Sequence, residues 1–269
     1  MKSSTDTPPP PVAFVTGGSR GLGRGIAKEL AEAGFSVAIH YRSNKAAADE
    51  TIEACEHLAL SKTQHFIPVQ GDIAHRADRN NIVEQTLSSL GHIDALVNNA
   101  GITSPGRLDL LEATEENFDT VMEVNLKGPF FLAQRIAHYW LENPDLCRIR
   151  TGYKLVFISS ISADTVSTNR GDYCISKSAL GMVNQLWAAH LAQHGIQTIE
   201  FRPGIMLTDM TAAVKEKYDD LIADGLVPQR RWGTPEDTGK AVRAFLEGAF
   251  PFTTGDCLNL DGGFHLKTL

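Results

Sequence analysis

The sequence predicts an α/β protein of the doubly wound, Rossmann type: a parallel sheet with helices on both faces. Three observations predict it. Short apolar, β-favouring runs alternate with helix-periodic stretches along most of the chain. A glycine-rich turn, Thr16-Gly17-Gly18-Ser19-Arg20-Gly21-Leu22-Gly23, follows the first run directly. Residues able to do chemistry recur just after strands or at helix entries, where such sheets bind ligands.

The first strand is read at 12–16, from Val12, Ala13, Phe14 and Val15. Ile26, Ala27, Leu30 and Ala31 then repeat at helical spacing, so the order is strand, turn, helix. Gly17 permits a tight turn. Gly21 and Gly23 let backbone approach a pyrophosphate at the helix N-terminus, where free N–H groups and the helix dipole favour anions. The spacing is Gly-x-x-x-Gly-x-Gly rather than Gly-x-Gly-x-x-Gly, and taken alone such a turn also serves packing. Further strands are predicted at 36–40, 65–68, 95–98, 154–159, 197–202 and 257–260, and helices at 46–60, 80–90, 118–141 and 173–194. Residues 143–152 read as a charged surface loop. Residues 205–232 read as a lid, punctuated by Gly225, Pro228 and Gly233, with Met and Leu residues to cover an apolar ligand. Residues 1–10 read as a poorly ordered tail ending in an extended proline run, which leaves 11–269 as one domain without repeats or linker.

A net charge of -7 disfavours non-specific binding to nucleic acid or to an anionic membrane. No apolar stretch reaches membrane-spanning length, and Met1 to Thr7 lack the apolar centre of a signal peptide. The four cysteines, Cys55, Cys147, Cys174 and Cys257, show no pairing pattern, so a cytoplasmic protein with free thiols is expected. Cys174 reads as a small apolar filler. His190 and His194 are spaced i, i+4, but no Glu completes a His-Glu-x-x-His pattern, and no metal is expected.

The chemistry centres on Tyr173 and Lys177. Their i, i+4 spacing puts both on one helix face, within reach of a common ligand. A free phenol has a pKa of roughly 10, and a nearby ammonium lowers it. Ser160 adds a hydroxyl able to hold a carbonyl oxygen. These are the parts for protonating an oxygen while a second group delivers hydride.

The whole set resembles the short-chain dehydrogenase/reductase family, over nearly the whole chain. Thr16-Gly17 with Gly21-Leu22-Gly23 resembles its cofactor turn, and Asn98-Asn99-Ala100-Gly101 its fourth-strand motif. Asn125, in Val124-Asn125-Leu126-Lys127-Gly128, matches the active-site asparagine. Ser160 stands thirteen residues before Tyr173, as the family serine does, and Tyr173 and Lys177 match Tyr-x-x-x-Lys. Arg202-Pro203-Gly204 and Asp261-Gly262-Gly263 match two later landmarks. Among members, those like 3-oxoacyl-(acyl-carrier-protein) reductase are most similar.

The resemblance implies a reductase in which Tyr173 donates a proton and Ser160 orients a carbonyl. Lys177 lowers the tyrosine pKa and bonds the nicotinamide ribose, and Asn125 holds a water leading to Lys177. It also implies NADP(H). Tyr41 stands where NAD-preferring relatives carry Asp, and Arg42 and Arg20 match basic positions of NADP-preferring ones, although either could be a solvated charge. Asp72-Ile73 matches the pair contacting adenine, with helix capping as the alternative for Asp72. Asn99, Ala100 and Gly101 would lie along the adenosine ribose. Thr208 either bonds the nicotinamide carboxamide or caps a lid helix in Thr208-Asp209-Met210. Ser19, Ser43, Pro203, Gly204 and Met206 complete the cofactor set. The implied substrate is a 3-oxoacyl thioester on acyl carrier protein or CoA. The alternatives are a small cyclic alcohol, sugar or steroid, or a cofactor-sensing protein without catalysis. Carrier docking would use Arg148 and Arg150 near the fifth strand and His194 near the end of the Tyr-Lys helix, where an Arg is expected. A homotetramer is implied, with the 173–194 helix at an interface; Leu180, Val183, Leu186 and Trp187 would serve core and subunit contacts.

Overall fold

The computed structural model describes residues 9–209, 211–212 and 215–267, so most of the expected tail lies outside the described residues. The strands are β1 (Val12–Val15), β2 (Ser36–Tyr41), β3 (Phe66–Gln70), β4 (Ala95–Asn98), β5 (Lys154–Ile158), β6 (Gln197–Pro203) and β7 (Asp256–Leu260). All pair in parallel, in the order β3-β2-β1-β4-β5-β6-β7. The chain winds outward to β3 and returns to place β4 beside β1. Strand order therefore reverses between β1 and β4, and a crevice opens beyond their C-terminal ends. Every residue of β1, β2, β4 and β5 is buried. Strands covered on both faces read as apolar runs rather than alternating ones, which is why the sequence displayed them.

Helices α1 (Gly21–Glu32), α2 (Lys45–Leu58), α3 (Arg76–Leu90), α4 (Glu115–Met122), α5 (Gly128–Glu142), α6 (Gly171–Leu191), α7 (Lys215–Ala223) and α8 (Pro235–Leu246) connect the strands. Ile26 and Leu30 of α1, Cys55 of α2 and Phe245 of α8 pack with Val15 and Ile39 on one face. Ile82 of α3, Trp140 of α5 and Leu180 of α6 pack with Phe14 and Leu96 on the other. Three elements differ from the sequence expectation. α3 begins at Arg76 rather than at 80, because its first turn is polar and carries no apolar period. The buried Arg79 instead donates to the carbonyls of Ile73 (2.6 Å) and Ala74 (2.8 Å). The expected helix 118–141 is divided into α4 and α5 by a π-turn at Glu123–Lys127, which contains Asn125. The lid, whose Met210, Ala213 and Val214 lie outside the described residues, holds a helix of its own, α7.

The lid is anchored at its far end. Trp232 Nε1 donates to Asp219 Oδ1 at 2.7 Å. A Cβ placed on Gly262 would lie 2.7 Å from Val227, and one on Gly263 3.1 Å from Pro228. The glycines after β7 thus let the lid base lie directly on the sheet edge. α1 and α8 meet backbone to backbone in the same way: a Cβ on Gly239 would sit 2.6 Å from the Gly25 carbonyl oxygen. Gly239→Ala is expected to lower unfolding free energy by about 1–3 kcal/mol, since neither backbone can yield. A denaturant midpoint equal to that of the wild type would contradict this packing.

Candidate active site

The crevice is stitched at its base. Thr16 Oγ1 donates to the Val97 carbonyl (3.2 Å) and accepts from the backbone N–H of Asn99 (2.9 Å) and Ala100 (3.0 Å). Asn99 Nδ2 donates back to the carbonyls of Thr16 (2.8 Å) and Gly17 (3.2 Å). Gly17 and Gly21 adopt φ of 61° and 52°, in the left-handed region. A Cβ on Gly23 would lie 2.1 Å from the Gly17 carbonyl oxygen, so the turn closes on α1 only with glycine there. α1 starts without a side-chain cap or an acidic residue in its first turn, and its first N–H groups face the crevice mouth. Leu22 packs on the core, and the Ser19 carbonyl is held by Arg24 (3.0 Å) and Thr51 (2.9 Å). Thr208 closes the opposite wall, its methyl 3.8 Å from where a Gly21 Cβ would be. Such a turn fits a pyrophosphate: donors, close backbone and no carboxylate.

One residue that sequence reading passed over holds this turn. His40 is buried at the β2 exit; Nδ1 accepts from Gly17 N–H (3.0 Å) and Nε2 bonds the Gly71 carbonyl (3.0 Å). That pair of contacts requires a neutral ring with its proton on Nε2. Burial pulls the His40 pKa down to about 4, so the ring remains neutral. Its partners are 23 and 31 residues away, so no local pattern announces it.

At the end of β2, Tyr41 is buried among core residues, while Arg42 and Ser43 are exposed. Arg42 stands 3.8 Å from the Asp72 carboxylate, and Asp72 also accepts from Ala74 N–H (2.9 Å). Asp72 does not cap α3, whose N-cap is His75 with no side-chain cap; its carboxylate instead closes the turn at Ala74 and turns its second oxygen toward Arg42. Ile73 is buried in the core beneath this loop. Arg20 is exposed and carries no ion pair among the described residues. Met206 is buried against Gly233, and Pro203 and Gly204 lie against β7, where a Gly204 Cβ would meet Asp261 at 2.5 Å.

At the other end of the crevice stand Ser160, Tyr173 and Lys177. Ser160 follows β5, and its hydroxyl accepts from Ser162 N–H (3.1 Å). Tyr173 lies in the first turn of α6. Asp172 accepts from both Tyr173 N–H (2.7 Å) and the Ser104 hydroxyl, tying the loop after β4 to this helix. Lys177 Nζ lies 5.7 Å from the Tyr173 ring centroid and donates to the Ile158 carbonyl (3.0 Å). Gly101 leaves the ammonium open: a Cβ there would sit 3.3 Å from Nζ and 3.2 Å from Asn125 Oδ1. The Asn125 amide is fully engaged, accepting from Ile102 N–H (2.8 Å) and donating to the Ile102 carbonyl (2.9 Å) and Ser176 Oγ (3.1 Å).

The electrostatics correct one expectation. Burial pushes the Tyr173 phenol up, not down; Ser160 and the nearby Arg170 oppose that shift. Burial also lowers Lys177 to about 8, with Glu200 opposing. Desolvation is the largest cause of both shifts. Among the described residues no group of three His, Cys, Asp or Glu side chains is placed to hold a metal. His190 and His194 are exposed. Arg148 and Arg150 are exposed before β5, and Gly152 and Gly195 adjoin, so these arginines and His194 gather at the edge of the sheet opposite Ser160. A five-residue strand at roughly 3.3 Å per residue separates the two edges.

A sequence profile described as enoyl-(acyl carrier protein) reductase matches residues 17–265. The 3-oxoacyl-[acyl-carrier-protein] reductase of Staphylococcus epidermidis is 29% identical over 254 residues, covering 94% of this chain and 98% of that protein. The 2-dehydro-3-deoxy-D-gluconate 5-dehydrogenase of Dickeya dadantii is 31% identical, covering 94% of each. A crystal structure of 3-oxoacyl-[acyl-carrier protein] reductase from Brucella melitensis in complex with NAD superposes with a TM-score of 0.89 at 40% identity, covering 98% of this chain and 100% of that one. With the fold and the crevice, these likenesses define a nicotinamide-linked oxidoreductase. The chain belongs to the short-chain dehydrogenase/reductase family.

His40→Leu is expected to leave the Gly17 N–H without its acceptor and to weaken nicotinamide-cofactor binding about fivefold to thirtyfold, for a loss of about 1–2 kcal/mol. Fluorescence titration gives the Kd; an unchanged value would show that the turn does not depend on the imidazole.

Proposed function

We propose that the chain is an NADPH-dependent carbonyl reductase, reversibly interconverting a ketone and a secondary alcohol, with a 3-oxoacyl thioester as its leading substrate. The observation that carries this reading is the gathering of Ser160, Tyr173 and Lys177 at the open end of a crevice whose other end is an anion-accepting turn. A bound nicotinamide supplies the hydride. Tyr173 gives its phenolic proton to the oxygen of the forming alkoxide. A phenol carries its proton at neutral pH, so it is available for donation. Ser160 orients the carbonyl oxygen and shares its developing charge. Lys177 holds a positive charge beside the phenol and would bond the cofactor ribose. Asn125 fixes Ile102 and Ser176, and through them the spacing between the β4 exit and α6. The intact set argues against a cofactor sensor without catalysis.

NADPH rather than NADH is supported by the cationic end of β2. Tyr41 brings no carboxylate, and the exposed Arg42 is only loosely matched by Asp72, leaving its guanidinium available to a 2′-phosphate. Arg20 stands free on the turn itself. The related Brucella protein was crystallised with NAD, which makes this preference a point of difference to test. A second reading, a small cyclic alcohol or sugar as substrate, is favoured by one observation: Arg148, Arg150 and His194, the positions expected to dock a carrier protein, lie at the other end of β5 from Ser160. We also infer a cytosolic homotetramer. It is supported by four free cysteines, by the lack of a described helix long and apolar enough to cross a membrane, and by exposed Phe131, Met182 and Leu186 on α5 and α6. Leu180 and Val183 are buried in the core of the same chain and not at the helix surface.

Tyr173→Phe is expected to bind NADPH normally yet lose at least about 100-fold in kcat with the best ketone from a panel of 3-oxoacyl thioesters, cyclic ketones and sugars. Near-normal turnover of that variant would remove the phenol from the mechanism. Loss of one charge-assisted bond is expected to weaken NADPH about tenfold to a hundredfold, and Tyr41→Asp combined with Arg42→Leu to go further and to improve NADH. An unchanged ratio of kcat/KM for the two cofactors would overturn the assignment of the β2 end.

A further inference from the structure

β6 carries two charged residues in the interior of the sheet. Ile199 and Phe201 point to the α1 and α8 side, so Thr198, Glu200 and Arg202 point to the opposite face, against α6. Glu200 is 1% exposed. A carboxylate so buried is costly unless it is paired and hydrogen-bonded. Here three donors meet it: Oε1 accepts from the Ser159 hydroxyl and from Arg202 Nε (2.7 Å), and Oε2 from Arg202 Nη2 (3.2 Å). Arg202 Nη1 then donates to Asp164 Oδ2 (3.0 Å).

The partners of this pair have one thing in common. Ser159 immediately precedes Ser160, and Asp164 ends the 3₁₀ turn Ile161–Ala163 that follows it. The loop bearing Ser160 is therefore gripped on both sides. On the helix, Gly181 is one turn beyond Lys177. A Cβ on Gly181 would lie 3.0 Å from Glu200 Oε2 and 3.1 Å from Arg202 Nη2, so glycine lets the ion pair rest on the helix backbone. Lys177 itself reaches the Ile158 carbonyl, just before Ser159.

We propose that Glu200, braced by Arg202, is a positioning residue that fixes the Ser160 loop against α6 and so sets the geometry between Ser160 and the Tyr173–Lys177 pair. The inference rests on the reductase reading of that pair. A buried ion pair of this kind adds little net stability over an apolar replacement, so stability alone does not account for it. The carboxylate has a second effect. The groups around the Lys177 ammonium are the Tyr173 phenol on its own helix, the neutral Asn125 amide from the π-turn, the Ile158 carbonyl from β5, and the charge of Glu200 from β6, itself paired with Arg202. Glu200 is the anion in that set, and it holds Lys177 charged against burial. Removing its charge lowers the Lys177 pKa further, so the alkaline limb of the pH–rate profile moves to lower pH.

The test compares wild type, Glu200→Gln and Gly181→Ala, each as the full chain. Wild-type turnover of a ketone with NADPH, measured first, tests the reductase reading by itself. Glu200→Gln is then expected to lose about tenfold to a hundredfold in kcat, the scale of a small misplacement of reacting groups, with KM for NADPH changed less than about threefold. Its alkaline limb should move acidward. Gly181→Ala keeps both charges but displaces the pair; it should lose kcat with its limb in place, and it tests the geometry even where Glu200→Gln folds poorly. Variants with a lowered melting temperature but wild-type kcat and an unmoved alkaline limb would overturn the proposal and leave the pair a purely structural one.

Discussion

Thr16 and Asn99 exchange hydrogen bonds at the point where strand order reverses, and the rest of the site takes its position from that exchange. The crevice exists because β1 and β4 are neighbours whose connections leave in opposite directions. Left alone, two diverging loops would not hold a fixed gap. The Thr16 hydroxyl and the Asn99 amide make the two exits one unit with its polar atoms satisfied. Gly101 lies two residues further and touches the space beside Lys177, so the anion-accepting turn and the reactive end belong to one frame.

Within that frame, burial governs the charges. It lowers Lys177 to about 8 and His40 to about 4, and it raises Tyr173. The shifts of His40 and Lys177 suit the parts assigned to them. A neutral imidazole accepts the Gly17 N–H, a protonated phenol is ready to donate, and an ammonium near its titration point responds to neighbouring charge. Glu200 is the counterweight on the helix side, and the π-turn at Asn125 brings a fully bonded amide to the strand side.

Much of this was legible in the sequence, for identifiable reasons. Strands buried on both faces appear as apolar runs, and all seven were found with no end displaced by more than two residues. Tyr173 and Lys177 announce themselves because helix periodicity is a local property. His40 and Glu200 did not, because a polar residue inside a strand has no local signature and its partners lie tens of residues away. The direction of the Tyr173 shift was misread for a related reason: spacing reveals a neighbouring charge but not desolvation. The start of α3 was missed because Arg79 bonds carbonyls instead of filling an apolar stripe.

The central claim is that hydride reaches a carbonyl carbon while Tyr173 protonates its oxygen. The most direct measurement is the fate of deuterium from NADPH labelled at the transferring position of the nicotinamide. Incubated with a 3-oxoacyl thioester, the protein is predicted to give the 3-hydroxy product with deuterium on the carbinol carbon by NMR. It should leave a 2-enoyl thioester unreduced. Deuterium on a saturated carbon derived from the enoyl substrate, with no carbinol label from the 3-oxo substrate, would contradict the account.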